Sequence, residues 1–591
     1  MDNQRNMILA LVLTALLLFG WDAGMGYFYP QAKTPVQTAA SSGDKEAAKQ
    51  TAAKPTREGG IRDAADMALE KQDLKAALTT GERVAIAAPG ISGSINLVGG
   101  LVDDVTLNRH RETVEKNSGP VRLYSPAGTP AQQFAQFGWV GDGVATPGPK
   151  TVWSAPAGAK LTPEKPVTLT WNNGKGQTFA LTYQVDDNYM ITVRQSVANT
   201  GKAAVIVQPF ALINRTDLTA SLDTWQVHSG PVGAFDGSVT FGPNYSDVVE
   251  KTEYATAGNA DWIGFTDVYW MSTLAPVGAK ATGTFRSLGN DIFRADLMYP
   301  QQALQPGKQL ARTTKLFVGA KEHEVLDAYA AQGITNFDLS IDWGWFRWFE
   351  KPIFWLLVKI FGLVHNFGLA IILLTLIVRG IMFPIAQRGF ASMAAMRAVQ
   401  PKMKAIQERY KDDKQKQQQE VMKLYKEEGV NPLAGCLPMV LQIPVFFALY
   451  KTLTLAVDMR HQPFILWIKD LSAPDPLHIL NLFGLLPFDP PSYLAIGVLA
   501  LLLGVTMFLQ FRLNPAQMDP QQQQIFMIMP WFMMFVMAPF ASGLLVYWIT
   551  SNILTIAQQK YLYSQHPQLK AQAAKVAEDS ARAKEREKGK A

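Results

Sequence analysis

One arginine lies where a charge is expensive. Arg379 interrupts the run Phe367–Ile385, nineteen residues that are apolar except for it and Thr375. On translocon scales, an arginine near the centre of a membrane-spanning helix costs about 2.5–3.5 kcal/mol. An ion pair does not offset that cost, because none of the four long apolar runs after residue 360 contains Asp or Glu. Two readings remain. Arg379 sits about 9 Å below the run's end at Ile385, at ~1.5 Å per residue, within snorkelling reach of the cytoplasmic surface. Alternatively it lines a water-filled cavity, where a fixed cation with five N–H donors can hold polar groups inside the membrane. Gln442 in the next run and Tyr547–Asn552 (YWITSN) in the last are candidates for the same cavity wall. Lys451 is different: near the outer end of its run, it is expected to snorkel outward.

Bond-making chemistry has no comparable mark. There is no Walker A, H-E-x-x-H or G-x-S-x-G pattern, and His110, His228 and His323 are too far apart to form a metal motif. Scattered carboxylates do not single out a glycosidase pair. The single cysteine, Cys436, excludes an intramolecular disulfide and a cysteine zinc site, and reads as a small packing residue. Met527, Met529, Met533, Met534 and Met537 crowd one segment. Such flexible, polarizable side chains suit either a surface that accepts many apolar partners or ordinary packing.

The elements that must position these residues fall into two parts. Of 591 residues, the first 350 carry 30 Lys+Arg against 34 Asp+Glu and the remainder 25 against 15, so the formal charge of +6 averages an acidic part with a basic one. Residues 1–29 are read as a signal anchor around the apolar run Met7–Trp21, with a cleaved signal as the alternative. Residues 30–61 read as a flexible linker. Residues 62–340 show period-two runs between turns, as in Val167–Val185 around Asn172–Gly174, in Ala204–Ile213 and in Thr313–Val318, which predicts an exported antiparallel β-sandwich. Residues 341–365, rich in aromatics but carrying Arg347, Glu350, Lys351 and Lys359, predict an interfacial amphipathic helix with Pro352 near its start.

Residues 366–558 hold the long runs: Phe367–Ile385, Cys436–Val457, Tyr493–Phe511 and Ile525–Gln558. Residues 386–435 carry ten Lys+Arg and 559–591 carry eight, so both are expected in the cytoplasm. They share a side only if the last run is a hairpin, Ile525–Met537 and Leu544–Gln558 joined at Ala538–Gly543. The expectation is six transmembrane helices with both termini cytoplasmic. Split in two, the run gives spans of at most about 16 residues, each covering at most roughly 24 Å, which would thin the bilayer. Within 386–435, apolar Met393, Met396, Val399, Met403 and Ile406, a polar break at Lys411–Lys414, then Val421, Leu424 and Tyr425 predict a cytoplasmic helical hairpin stopped at Gly429. The basic tail 559–591 is expected to touch anionic lipid or ribosomal RNA, with no specific nucleic-acid sequence.

Val378–Gln415 (VRGIMFPIAQRGFASMAAMRAVQPKMKAIQERYKDDKQ), Val430–Leu453, Phe464–Pro476 and Ser542–Asn552 (SGLLVYWITSN) resemble the YidC/Oxa/Alb family of membrane protein insertases, in its Gram-negative form with a large periplasmic domain. The resemblance is specific over about residues 340–560 and looser over the exported part. It implies a five-helix insertase core with a hydrophilic groove open to cytoplasm and lipid, a periplasmic β-supersandwich like sugar-binding folds, and placement in the bacterial inner membrane. By position in the matching motifs, the groove residues fall on Arg379, Thr375, Gln442, Tyr547 and Trp548, the last standing where the family often has a second tyrosine; the methionines 527, 529, 533, 534 and 537 would form a substrate slide. The implied partners are nascent membrane proteins, the Sec translocon with its accessory complex, the ribosome, the signal recognition particle receptor and membrane lipid. No catalytic residue, cofactor or metal is implied. The rival readings are a solute transporter, which lacks intramembrane acids and two-fold repeats here, and a tethered carbohydrate enzyme, which leaves Arg379 unexplained.

Overall fold

The alternating run around Asn172–Gly174 folds as read: Val167–Asn172 and Gln177–Val185 pair antiparallel, with Val167 opposite Tyr183 and Asn172 opposite Thr178. Leu169, Phe179, Leu181 and Tyr183 point inward and are fully buried. The loop between the strands is four residues long, and the Asn173 side-chain oxygen accepts from the Lys175 and Gln177 amides at 2.9 and 3.1 Å. Gly176 has φ 94°, and a Cβ there would lie 2.7 Å from the Gly201 Cα, so this turn needs glycine on two counts.

The computed structural model describes residues 58–61, 64–115, 117–222, 227–411, 413–429, 437–486, 488, 490, 495–513 and 520–565. The proposed anchor 1–29, nearly all of the linker, Cys436 and residues 566–591 lie outside the described residues.

Among the described residues, the hairpin belongs to an eight-stranded sheet that runs from Ser238–Phe241 through Trp270–Val277 and Gln309–Ala320 to Val167–Asn172. An eleven-stranded sheet faces it, with Val205–Thr216, Gln133–Asp142 and Leu101–Arg111 adjacent at its centre. Pairing is antiparallel apart from Ala85–Ile86 beside Lys160–Leu161. The core lies between the sheets: Phe137 meets Tyr183 edge-on at 6.3 Å and Trp139 meets Phe179 at 5.1 Å. Gln195 stitches the layers, its Nε2 donating to the Gly138 and Phe210 carbonyls at 2.9 and 3.0 Å.

Ten α-helices are described: α1 (Ala64–Thr79), α2 (Tyr245–Lys251), α3 (His323–Ala331), α4 (Arg347–Val364), α5 (Phe367–Arg409), α6 (Lys414–Glu427), α7 (Leu437–Leu455), α8 (Val498–Leu513), α9 (Pro520–Met537) and α10 (Ser542–Gln565). Helix α1 corrects the expectation of strand patterning from residue 62. Its sequence, AADMALEKQDLKAALT, is rich in strong helix formers but has no clear apolar face, so propensity rather than periodicity carries it.

Helix α4 begins five residues before Pro352, which therefore lies inside the helix. Trp348, Trp355 and Leu363 are exposed, as an interfacial element requires. Glu350, expected on the polar face, is instead buried beside Phe354, Leu357 and Ile360 on the face that packs on α5 and α7. The corner into α5 is fixed by left-handed His365 (φ 52°), by the Asn366 side chain capping the Leu369 amide at 2.9 Å, and by Phe361 stacked on Phe367 at 3.8 Å.

Helix α5 runs unbroken for 43 residues, roughly 65 Å at ~1.5 Å per residue, more than twice the hydrocarbon thickness of a bilayer. Within it Phe367–Gln387 is long and apolar enough to cross a membrane. Its far end folds against α6 through a small core of Val399, Met403 and Leu424, with Asp413 capping the Lys416 amide at 3.0 Å. The long run at 525–558 is broken at residues 538–541, but its helices are 18 and 24 residues, so arm length alone does not demand a thin bilayer. Only Met527–Met537 of α9 remains a short apolar stretch. The two arms do not form a simple pair: α9 packs on α8, whereas α10 packs on α5, α8 and α7.

Candidate functional site

Arg379 projects from α5 toward α10, not toward the helix end. Its Nη2 donates to the Ser551 carbonyl at 3.4 Å and to the Ser551 hydroxyl. Simple snorkelling is thereby disfavoured, since the guanidinium is held by the facing helix. No carboxylate pairs with it among the described residues. Its Nε is buried without a protein partner, as is the Tyr547 hydroxyl, and the two side chains are close enough to interact electrostatically.

The reason α10 can receive an arginine is legible in its spacing. Tyr547, Ser551, Thr555 and Gln559 recur every four residues and are all buried, making a polar ladder along one face of α10. Asn552 adds a contact to α8, its Nδ2 donating to Thr506 Oγ1 at 3.2 Å. Gln510, Gln558 and Gln559 each bury a side-chain oxygen with no protein hydrogen bond. Leaving such groups dry costs about 1–3 kcal/mol each.

The residues expected from sequence do not all meet here. Thr375 is one turn from Arg379 on α5 and buried, but its hydroxyl donates back to the Ile371 carbonyl at 2.6 Å. Gln442 is half-buried on α7, while the hydrogen bonds described for Arg379 go to α10. Trp548 turns aside and packs edge-on against Phe446 of α7 at 5.1 Å. The sequence reading does not single out Thr506 and Gln510 on α8 or Thr555 and Gln559 on α10; for the α10 pair, the four-residue spacing of polar positions was the available signal.

The methionine segment divides. Met527 is exposed and Met529 and Met533 are half-buried, but Met534 and Met537 are core residues, Met534 packing over Gly504 of α8. The latter two therefore offer no surface to a partner. Lys451 donates from Nζ to the Asp342 carbonyl at 2.8 Å, just before α4.

A cleft of about 810 Å³ lies elsewhere, between the sandwich and the segment 457–469, and is lined by none of the groove candidates. Its principal cations are already engaged, Arg109 with Glu322 at 3.4 Å and Arg460 with Glu58 at 2.7 Å. Nearby, potential ligand atoms of Glu58, His461 and Asp470 lie within 4.8 Å of one another. The Glu58 carboxylate already holds Arg460, and Asp470 accepts from the Ser472 amide and hydroxyl at 2.8 and 2.7 Å, so these groups have structural work to do.

Two family descriptions match the chain: "60Kd inner membrane protein" over residues 359–570 and "YidC periplasmic domain" over residues 83–356. The "Membrane protein insertase YidC" of Zymomonas mobilis is 44% identical over 95% of this chain and 96% of its own. That of Paracoccus denitrificans is 42% identical over 96% and 95%. A solved structure, "Active YidC insertase crystal structure with the first transmembrane domain resolved", aligns with 81% of this chain and 92% of its own at 19% identity and a TM-score of 0.34.

Proposed function

The chain belongs to the YidC family of membrane protein insertases, and on that premise we propose that it works through a polar groove walled by α5, α8 and α10, with Arg379 as its fixed charge. Insertion of membrane proteins is its function, and it is not an enzyme. It is an inner-membrane protein with a periplasmic all-β domain and a helical C-terminal region.

The observation that carries the groove reading is the engagement of Arg379 by Ser551 beside the unpartnered Tyr547 hydroxyl, with no acid paired to it among the described residues. A guanidinium so held can bind the carboxylates, carbonyls or hydroxyls of an entering polar segment and release them as the attached apolar segment moves into lipid. Thr375 and Gln442 extend the wall, Trp548 shapes it through Phe446, and Met527, Met529 and Met533 offer the adaptable apolar surface on the way out. The topology that fits this use has six transmembrane helices, five of them forming the core, with both termini cytoplasmic. The sandwich and α4 then lie on the periplasmic side, and the α5–α6 hairpin projects into the cytoplasm. Its ten basic residues suit nascent chains, the ribosome and the signal recognition particle receptor, and the Sec translocon with its accessory complex is the membrane partner.

The test places photo-crosslinkers at positions 375, 379, 442, 547 and 548 and arrests a nascent single-span substrate during insertion. Contacts at 375, 379 and 547 are expected; their complete absence would sink the groove. Arg379→Lys is expected to retain insertion and Arg379→Ala to lose it; equal activity for both would remove the need for charge.

A further inference from the structure

The segment joining α7 to α8 carries a second membrane-active feature. From Leu477 to Phe488 (LHILNLFGLLPF) there is no charged residue. Its large side chains point outward: Leu485 is 81% exposed, Leu482 52%, Phe483 51% and Phe488 48%. So contiguous an apolar patch is unusual on a surface that faces only water.

The backbone is closed in the opposite sense. The amides of Leu482, Phe483, Leu485, Leu486 and Phe488 donate to carbonyls within the loop at 2.9–3.3 Å, and Gly484 donates to the Asn481 side chain at 2.9 Å. Asn481, the one polar side chain at the turn, is buried and also donates to the Phe488 carbonyl at 3.4 Å. Left-handed backbone at Leu482 (φ 50°) and Phe483 (φ 60°) makes the tight turn that allows this. At the base, the Ile479 amide donates to the Ile496 carbonyl at 3.0 Å and the Val498 amide to the Leu477 carbonyl at 3.2 Å, fixing the loop to the start of α8. Six amides of the loop are thereby satisfied internally, which lowers the cost of moving this non-helical chain from water toward the membrane interface.

We propose that residues 477–486 form a wedge that inserts into the outer leaflet of the bilayer. The occupant of this face is lipid rather than a protein, because the base of the loop is hydrogen-bonded to the first residue of α8, a helix read as membrane-spanning, through the Val498 amide and the Leu477 carbonyl. The exposed Trp348, Trp355 and Leu363 of α4, which packs on α5 and α7, present a further apolar surface suited to the same leaflet. This wedge rests on the proposed topology, in which α7 and α8 cross the membrane and 456–497 lies outside.

The experiment uses full-length protein carrying Cys436→Ser, reconstituted in phosphatidylethanolamine–phosphatidylglycerol vesicles. A nitroxide is attached at Leu485→Cys or Phe483→Cys, with Ile381→Cys in α5 as the spanning reference and Val140→Cys on the sandwich as the aqueous reference. Collision with oxygen relative to a water-soluble nickel chelate is expected to be more than about fivefold higher at 485 and 483 than at 140, as hydrocarbon contact requires. A ratio at 485 and 483 equal to that at 140, while 381 reads as buried in lipid, overturns the wedge alone. Aqueous ratios at 381 as well overturn the topology beneath it. Exclusion of both reagents at 485 and 483 assigns the face to a protein and also overturns the proposal.

Discussion

Arg460 donates from Nη1 to the main-chain carbonyl of Arg111 at 2.7 Å, joining the loop after α7 to the edge of the sandwich. The same guanidinium reaches the Glu112 carbonyl at 3.0 Å and the Glu58 carboxylate at 2.7 Å, and lies 5.3 Å from the Trp270 ring centroid. One buried cation therefore ties the sandwich to the loop after α7, beside the His323–Asp458 contact at 3.4 Å. Arg460→Ala strands these acceptors and is expected to weaken the docking by about 2 kcal/mol. A crosslink between engineered cysteines at Thr113 and Gln462 should become much less efficient, with membrane levels unchanged; undiminished crosslinking would show that other contacts suffice.

The groove charge is tested from the other side by Ser551. Ser551→Ala removes one acceptor but keeps the carbonyl, so insertion should fall only about two- to fivefold. Ser551→Asp supplies a carboxylate that pairs with Arg379 and should impair insertion as severely as Arg379→Ala. Full activity in Ser551→Asp would mean that free positive charge is dispensable.

The hairpin of α5 and α6 rests on few residues. Val399, Met403 and Leu424 form its core, with the Tyr425 hydroxyl 3.3 Å from the Met403 sulfur. Leu424→Ala is expected to cost about 2 kcal/mol locally. Trypsin cleavage near Lys411 should accelerate in that variant while the sandwich stays intact.

Asp217 gives the sandwich a pH dependence. Burial first, and then the neighbouring Asp291, raise its carboxyl from 3.8 to about 6, against the pull of Arg215. Because the folded state favours the protonated acid, this stabilisation is complete below the unfolded value and is lost as pH rises through about 6. Asp217→Asn should therefore raise the sandwich Tm by about 2 °C or more near pH 7.5, with no gain near pH 3.5. An equal gain at both pH values would assign the effect to packing instead.

Much of this architecture is local, and local chemistry is readable in a single chain. The Val167–Val185 hairpin follows from alternation and turn residues, the end of α5 from the polar break at Lys411–Lys414, and the split of the last run from its length and the charge on either side. Helix α1 escaped because nothing in its pattern distinguishes a face. The buried position of Glu350 escaped because an isolated acid in an aromatic helix looks like a solvated one until its neighbours are known.

The candidate site divides in the same way. Sequence determined that Arg379 carries an uncompensated charge in an apolar run and that polar residues recur every four positions along α10, since both are properties of one helix. Only the tertiary structure decided that Arg379 meets Ser551, 172 residues away, that Trp548 turns to Phe446, and that Met534 and Met537 are core while Met527 is not. Helical periodicity fixes which side chains share a face, but what that face meets depends on how separate helices pack, and that is a property of the whole fold.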